Sequence, residues 1–430
     1  MIETFKNALK IKEIRNKILW TILFVVIYRI GCYIPVPGFD ASGVGELESY
    51  NLLSILNAIS GSALSDGTIF ALGISPYINA SIIMQLLTVA IPQLERLSKR
   101  GDEGKEKINK ITRYVTLALA TISAVGIVFT LDVDVNFISG QIALPQWLVM
   151  VYVTIVLVAG CMLCMWLGER ITEYGVSNGI SMLIFVGLLT TAGQGILNTI
   201  SGGRWLELVA FLVVLIAIFV FIVWVDGAER KIKIQYAKQV KGNRMYGGQA
   251  TFIPIKVNAS GVMPLIFAYA IMSFPTMLIS TFWATAAETQ GTFAYWWIQN
   301  LGAQSWAYQV ILAVMIFLFA YFYSQIQFNP VDISKNIQQN GGFIPGIRPG
   351  RETAEHLTRV VTRITFWGAT FLAIIALVPS LIFSLASGND QGLVNAFSST
   401  GMLISVSIAL EIFRSLENQI LMRNYKGFLK

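Results

Sequence analysis

The chain has 430 residues, of which 55% are hydrophobic and only 13% are charged, and its formal net charge is +7. A soluble domain normally has about 25% charged residues, so this composition excludes an ordinary water-soluble protein and indicates a core solvated by lipid. The positive charge lies in loops beside a membrane face, where anionic lipid or an acidic partner accounts for it better than nucleic acid does.

Ten apolar stretches run along the chain, and each is near the length of about 20 residues that a bilayer core requires. We predict an all-α polytopic membrane protein with ten transmembrane helices in two inverted five-helix halves, residues 1–200 and 201–430. The predicted spans cover approximately residues 18–36, 69–91, 111–131, 147–168, 181–200, 206–226, 260–282, 308–328, 360–385 and 394–414.

The basic residues identify the cytoplasmic side of the membrane. Of the 31 Lys and Arg residues, 29 lie in alternate loops, Arg204 lies in the other set of loops, and Arg29 lies within the first span. Short loops rich in Lys and Arg remain in the cytoplasm, so both termini are predicted to be cytoplasmic. The first span carries no small-residue cleavage site, which indicates a retained span and not a secretory leader.

A polar segment, Ser54–Gly67, lies between the first and second spans and is too polar to face lipid. Apolar residues recur in it at helical spacing. They are Ile55, Leu56, Ile59, Ala63 and Leu64. We predict a short amphipathic helix on the outer side that does not span the membrane. Periodicity leaves two positions open, on the membrane surface or inside a cavity among the helices.

The second and seventh spans are interrupted by proline and polar residues, and each is second in its half. The second contains Pro76 and Asn79, and the seventh contains Ser260 and Pro264, with Asn258 just before it. Interrupted helices at symmetry-related positions indicate a pathway between the halves. The alternative is two ordinary proline kinks stabilised by neighbouring hydroxyl groups.

Residues for catalysis and ion coupling are scarce in the spans. Ion-coupled carriers hold charged relays there, whereas Arg29 is the one charge well within a span. His356 lies in a predicted cytoplasmic loop. The GxSxG match at residues 175–179 has no base nearby, so we interpret its glycines as turn residues. The sequence therefore predicts neither an enzyme nor a cofactor.

Three cysteines, Cys32, Cys161 and Cys164, lie in apolar segments. Three thiols cannot form a closed disulfide framework. Cys161 and Cys164 form a CxxC pair, but a redox or metal role requires a polar, partly exposed setting. We predict that they are structural and bind no metal.

Six sequence runs have the order and spacing of one family. They are RIGCYIPVPG from Arg29, GISPYINASIIMQLL from Gly73, GERITEYGVSNGIS from Gly168, AERKIKIQYAK from Ala228, KVNASGVMP from Lys256 and GIRPG from Gly346. The chain closely resembles the SecY family, the central subunits of the bacterial protein-conducting channel, over nearly its whole length.

The resemblance implies an hourglass of ten helices that is hinged between spans five and six. A plug, matching Ser54–Gly67, would close it on the outer side. The implied constriction ring is Ile74, Ile78, Ile180, Ile184, Ile266 and Ile404. The implied lateral gate, which opens sideways to lipid, is Asn79, Ser123 and Phe274. Secretory polypeptides and signal peptides would be the substrates.

The resemblance also implies partners and a location. Basic loops at about residues 228–257 and 330–359 would dock the ribosome and the SecA motor ATPase through Lys241, Arg244 and Arg348. The tip of the earlier loop reads KGNR, with fewer arginines than the family pattern. Small SecE and SecG subunits would flank the chain in the bacterial plasma membrane.

Three other classes of protein stay open on the residues alone. A secondary transporter for a small apolar solute shares ten spans and broken helices, but it would need a buried polar cluster. An intramembrane protease would need a catalytic pair. An insertase without a pore would differ from a channel in its ion conductance.

Overall fold

The computed structural model describes most of the chain. The described residues are 11–39, 57, 60–130, 145–203, 205–236, 239–241, 244–246, 250–258, 261, 263–282, 292–301, 305–386 and 399–427. The predicted residues Ile55, Leu56 and Ile59 lie outside them.

Helices dominate the described part of the chain. Those in the first half are α1 (Lys12–Gly31), α2 (Ser75–Ala90), α3 (Pro92–Ser98), α4 (Asp102–Thr130), α5 (Gln146–Tyr174) and α6 (Gly179–Ser201). Those in the second half are α7 (Trp205–Asp226), α8 (Met263–Phe282), α9 (Phe293–Asn300), α10 (Trp306–Gln327), α11 (Pro330–Gln339), α12 (Arg351–Ala386) and α13 (Ser399–Gly427).

A helix lies over each of the ten predicted spans, which confirms the polytopic helical fold. Helices suit this chain because lipid offers no partner for backbone N–H and C=O groups. Within the described residues, five helices are long and apolar enough to cross a membrane, or six if the bent α2–α3 pair is one span. The inverted relation of the two halves stays a prediction.

The chain packs as two compact units. The first comprises Met1–Leu208, Ala270–Tyr308 and Ala386–Lys430, and the second comprises Val209–Tyr269 and Gln309–Leu385. Helix α13 therefore belongs to the first unit, although it comes last in the sequence.

Close helix packing holds the first unit together. Helix α2 packs on α4, α4 on α5, α5 on α6, and α13 on α6. Small residues permit this approach, because a Cβ atom at Gly160 of α5 would collide with the carbonyl oxygen of Ile69. Buried residues of α4 and α5, among them Ala120, Val153 and Leu157, form the core.

The turn between α5 and α6 connects α1 and α13 within the first unit. The carbonyl oxygen of Val176 accepts hydrogen bonds from Ser415 Oγ at 2.7 Å and Gln419 Nε2 at 2.8 Å. The Val176 N–H donates to Thr21 Oγ1 at 3.3 Å. Asn178 accepts from the Ile180 N–H at 3.0 Å at the start of α6, so this GxSxG segment is a turn, as predicted.

The second unit contains a small antiparallel sheet with strand order β4–β1–β5. Its strands are β1 (Glu229–Tyr236), β4 (Ala250–Lys256) and β5 (Gly342–Phe343), and a separate hairpin joins β2 (Gln239–Lys241) and β3 (Arg244–Tyr246). Ile232 and Ile234 of β1 are buried while Lys231 and Lys233 are exposed, the alternation typical of a half-buried strand. The isoleucines pack with Leu357 of α12. The predicted basic loop at 228–257 is therefore partly a β-structure.

Proline marks the sharp bend of the second predicted span. Helix α2 ends at Ala90, α3 begins at Pro92, and the two axes meet at 105°. Proline cannot donate the backbone hydrogen bond that would continue α2, and it disfavours a helical conformation at the preceding residue, Ile91.

A buried hydrogen bond joins α10 and α12 in the second unit. Ser324 Oγ and Thr365 Oγ1 lie 2.8 Å apart, and both residues are buried. We expect Thr365→Val to lower the free energy of unfolding by about 0.6 to 2 kcal/mol, because it leaves the buried Ser324 hydroxyl without its hydrogen-bond partner. Equilibrium unfolding in mixed detergent micelles measures this. Adding Ser324→Ala should restore part of the loss, and a further additive loss would contradict the pairing.

Candidate functional site

The site begins with the segment between the first and second predicted spans. We call its described residues, Asn57 and Ser60–Gly67, the plug segment. Ser60 is 1% exposed, and Ala63 and Leu64 are fully buried. Leu64 belongs to the core that α4 and α5 form in the first unit. Of the two predicted positions, the structure therefore shows the cavity among the helices and not the membrane surface.

Local hydrogen bonds fix the shape of the plug segment. The Ser62 N–H donates to the Asn57 carbonyl oxygen at 2.9 Å, and the Ser65 N–H donates to Asn57 Oδ1 at 3.1 Å. Gly61 and Ser62 both have φ near +70°. Glycine adopts this left-handed conformation freely, whereas serine adopts it at some cost, so the surroundings must hold the turn.

Backbone hydrogen bonds join the chain before the plug segment to the end of that segment and to the residues after it. The Val36 N–H donates to the Gly67 carbonyl oxygen at 2.8 Å, and the Ile69 N–H donates to the Ile34 carbonyl oxygen at 3.0 Å. These bonds hold the end of α1 beside the entry to α2. They limit where the plug segment can lie.

A side-chain hydrogen bond ties the plug segment to α6. Ser62 Oγ donates to Gln194 Oε1 at 2.6 Å. Sequence reasoning did not single out Gln194. The signal was present, since Gln194 is an amide inside an otherwise apolar span, but its partner could be identified only from the fold.

Two of the predicted ring residues in the first unit converge on α5. Ile74 precedes α2 and is 3% exposed, and Ile180 is half-buried on α6. A Cβ atom at Gly168 would lie 3.5 Å from Ile74 Cδ1 and 3.3 Å from Ile180 Cγ1. Gly168 thus leaves room for both aliphatic side chains.

The other ring candidates are dispersed along the helices. Ile78 of α2 is half-buried, Ile184 of α6 is 5% exposed, and Ile404 of α13 is 6% exposed. Ile266 lies on α8 in the second unit and is half-buried. The ring itself stays a prediction.

The predicted lateral gate occupies three helices. Asn79 lies on α2 and Ser123 on α4, and these helices pack together in the first unit. Both residues are half-buried. Phe274 lies on α8, and its side chain is outside the described part. The gate assignment stays a prediction.

The predicted docking residues lie in the second unit. Lys241 ends β2 and Arg244 begins β3, and the two are cross-strand partners at the tip of the hairpin. Arg348 lies between β5 and α12, and its side chain is 87% exposed. Its guanidinium is 3.9 Å from a Glu352 carboxylate oxygen, which is a weak ion pair in water.

Two ionisable residues, Asp66 and Arg29, interact electrostatically at the plug segment. Burial raises the pKa of the Asp66 carboxyl, and the neighbouring Arg29 guanidinium offsets part of this shift. Arg29 lies in the last turn of α1, as a basic residue that suits the negative end of the helix dipole. The hydrogen bonds that hold the plug segment itself join neutral groups.

Cys161 and Cys164, the predicted CxxC pair, are both fully buried on α5. Cys161 belongs to the core of the first unit. Across the described residues, no cluster of three or more His, Cys, Asp or Glu side chains could hold a metal ion. The structure gives these thiols a packing role.

The chain is similar to proteins of one known family. A family model described as SecY matches residues 68–413. The protein translocase subunit SecY of Corynebacterium glutamicum is 41% identical over 452 residues, covering 100% of this chain and 99% of that protein.

Two solved structures share the fold at 20% sequence identity, and each alignment covers 94% of this chain and 92% of the other. One, with a TM-score of 0.66, is described as showing that the plug domain of the SecY protein stabilises the closed state of the translocation channel and maintains a membrane seal. The other, with a TM-score of 0.63, is Sec61 in the canine ribosome-channel complex from the endoplasmic reticulum.

Proposed function

The chain belongs to the SecY family, and from this we propose that it is the channel subunit of a bacterial protein translocase. It passes unfolded secretory polypeptides across the plasma membrane and releases transmembrane segments sideways into lipid. The observation that carries the proposal is the seating of the plug segment among the helices of the first unit, with Ala63 and Leu64 fully buried. A movable seal of this kind is needed by a conduit, not by an enzyme.

The aliphatic ring explains how a polypeptide passes while ions do not. Each elementary charge that crosses 100 mV is worth about 2.3 kcal/mol, so a leak would dissipate the membrane potential. A narrow collar of branched aliphatic side chains excludes water and offers no group to replace the hydration shell of an ion. Such walls form no directional bonds, so they accept polypeptides of any sequence.

The lateral gate explains how membrane segments leave. Hydrogen bonds between membrane helices contribute only about 0.6 to 2 kcal/mol, so the seam at Asn79 and Ser123 is weakly held. Each Leu, Ile, Phe or Val in a passing segment favours lipid by about 0.3 to 0.6 kcal/mol. A sufficiently apolar segment therefore partitions out, and a secreted one does not.

The energy would come from SecA ATP hydrolysis, from translation or from the proton-motive force, since the chain itself performs no covalent chemistry. Lys241 and Arg244 at the hairpin tip suit ribosomal RNA phosphates, and the solved relative in a ribosome complex supports such a contact. Arg348 would engage the SecA motor. SecE and SecG would flank the channel, and the basic loops place both termini in the cytoplasm.

Crosslinking tests the pathway directly. We expect a stalled secretory precursor to crosslink to cysteines introduced at Ile74, Ile78 and Ile266, because a chain threading the centre meets all three. Cysteine at the lipid-exposed Ile155 of α5, which is 63% exposed, serves as the control and should not react. A precursor that crosslinks to the control position and to none of the three would contradict the pathway.

A further inference from the structure

One charged group at the plug segment has no role in the proposed function. Arg29 lies in the last turn of α1, and its Nη1 atom is buried. Among the described residues, this atom has no hydrogen-bond partner. The guanidinium carbon lies 5.5 Å from the centre of the Tyr33 ring. The orphaned donor requires an explanation, because buried polar groups are normally paired.

The orphaned donor is directed at the plug segment. A Cβ atom at Gly61 would lie 2.6 Å from Arg29 Nη1 and 3.1 Å from the Cα atom of Gly187 on α6. Gly61 therefore lies in a slot between the guanidinium and the backbone of α6. A Cβ atom at residue 61 would have to displace the Arg29 guanidinium and press on the backbone of α6, and glycine also adopts the φ of +70° found here without strain.

The residues on either side of Gly61 form favourable hydrogen bonds, whereas the contact of Gly61 with Arg29 satisfies no donor. Tyr28 Oη donates to the Ser60 carbonyl oxygen at 3.4 Å, and Ser62 Oγ donates to Gln194 Oε1 at 2.6 Å. One hydrogen bond thus precedes Gly61 and one follows it. The seated plug segment is stabilised on both sides of the residue that covers Arg29.

Asp66 lies near Arg29 but gives its Nη1 atom no acceptor. Burial raises the pKa of the Asp66 carboxyl, and the attraction of the Arg29 charge opposes this shift without a direct ion pair in the described part of the chain. A dehydrated donor without an acceptor destabilises the state that buries it.

We propose that Arg29 is a release element for the plug segment: its buried, unpaired Nη1 donor destabilises the seated segment at Gly61, so a signal peptide opens the channel more easily. When Gly61 moves away, water reaches Nη1 and the penalty is lost. Arg29 therefore opposes the Tyr28 and Gln194 hydrogen bonds and sets the balance between sealing and opening. The inference rests on the proposed channel function.

Signal-peptide titration in planar bilayers tests the proposal, using the chain with its partner subunits. Arg29→Met keeps a long side chain but removes the charge and the donors. We expect it to raise the synthetic signal peptide concentration for half-maximal conductance about tenfold. Arg29→Lys, which retains the positive charge and N–H donors, should stay within about threefold of wild type.

Gln194, which accepts a hydrogen bond from Ser62 of the plug segment, provides the matched control. Gln194→Leu removes this favourable bond and should lower the signal-peptide concentration for half-maximal conductance. A lower threshold or a resting leak in Arg29→Met would show that Arg29 holds the plug segment, and an unchanged threshold would show that it has no effect on release. Either result overturns the proposal. If wild type shows no peptide-dependent conductance, the channel function fails instead.

Thiol labelling separates release from general destabilisation. Cys32, Cys161 and Cys164 are buried, so a water-soluble thiol reagent should report on a cysteine introduced at Ser60, which is 1% exposed in the seated segment. We expect Arg29→Met to slow that labelling about tenfold, because the segment leaves its seat less often. A variant that merely loosened the fold would label faster, which would contradict the proposal.

Discussion

Replacing Ile78 and Ile184 by serine together should open a resting ion leak at least about tenfold above wild type. Both residues lie in the first unit, Ile78 half-buried on α2 and Ile184 5% exposed on α6. Serine removes the branched alkyl surface that excludes water and introduces hydroxyl groups that hydrate a passing ion. Defective signal sequences should also pass, because the closed state is destabilised.

Single-channel recording of the purified complex in planar bilayers measures the leak. The double variant with valine at both positions is the control, since it keeps a branched aliphatic wall, and it should seal nearly as well as wild type. Serine at the lipid-exposed Ile155 controls for a general loss of stability. Conductance of the serine pair equal to that of the valine pair would show that these residues do not form the constriction.

The helical part of the fold could be predicted because lipid forces each apolar run to satisfy its own backbone. Helix ends were harder to predict, since they depend on amphipathic turns outside the bilayer. Helix α12 begins at Arg351, well before the predicted span at 360–385, because Leu357 packs into the core of the second unit outside the apolar run. Hydropathy alone does not detect these first turns of the helix, because they are amphipathic and lie outside the apolar run.

The sheet was missed although its signal is visible. In β1, Ile232 and Ile234 alternate with Lys231 and Lys233, a period of two that indicates a strand. The density of positive charge suggested a solvated loop instead. The pairing of β1 with β5 could not have been inferred, because β5 lies about 100 residues away from β1 and only the tertiary fold brings the two strands together.

The plug segment shows the limit of periodicity most clearly. Spacing identified Ala63 and Leu64 as apolar positions, and both are buried. It could not choose between the membrane surface and a cavity, because both environments bury one apolar face. The contacts that decide the matter, Ser62 with Gln194 and Gly61 with Gly187, join residues more than 120 positions apart.

Reversing the charge of Arg348 should impair SecA-driven transport about tenfold while leaving the protein level unchanged. The side chain is 87% exposed, and its weak contact with Glu352 contributes little to stability. The backbone is held independently, because Thr353 Oγ1 donates to the Arg348 carbonyl oxygen at 2.8 Å. Arg348→Glu therefore changes the surface charge and not the fold.

Transport of a secretory precursor into inverted membrane vesicles measures the effect, and Arg351→Glu is the matched control. Arg351 is 92% exposed, lies three residues after Arg348 at the start of α12, and pairs with Glu355 at 3.0 Å. If Arg348 binds the motor as a specific contact, the control retains most of its transport. Equal losses in the two variants would instead indicate a diffuse electrostatic attraction, which high salt would abolish for wild type as well. A wild-type rate for Arg348→Glu would exclude both explanations and place the motor contact elsewhere on the cytoplasmic surface.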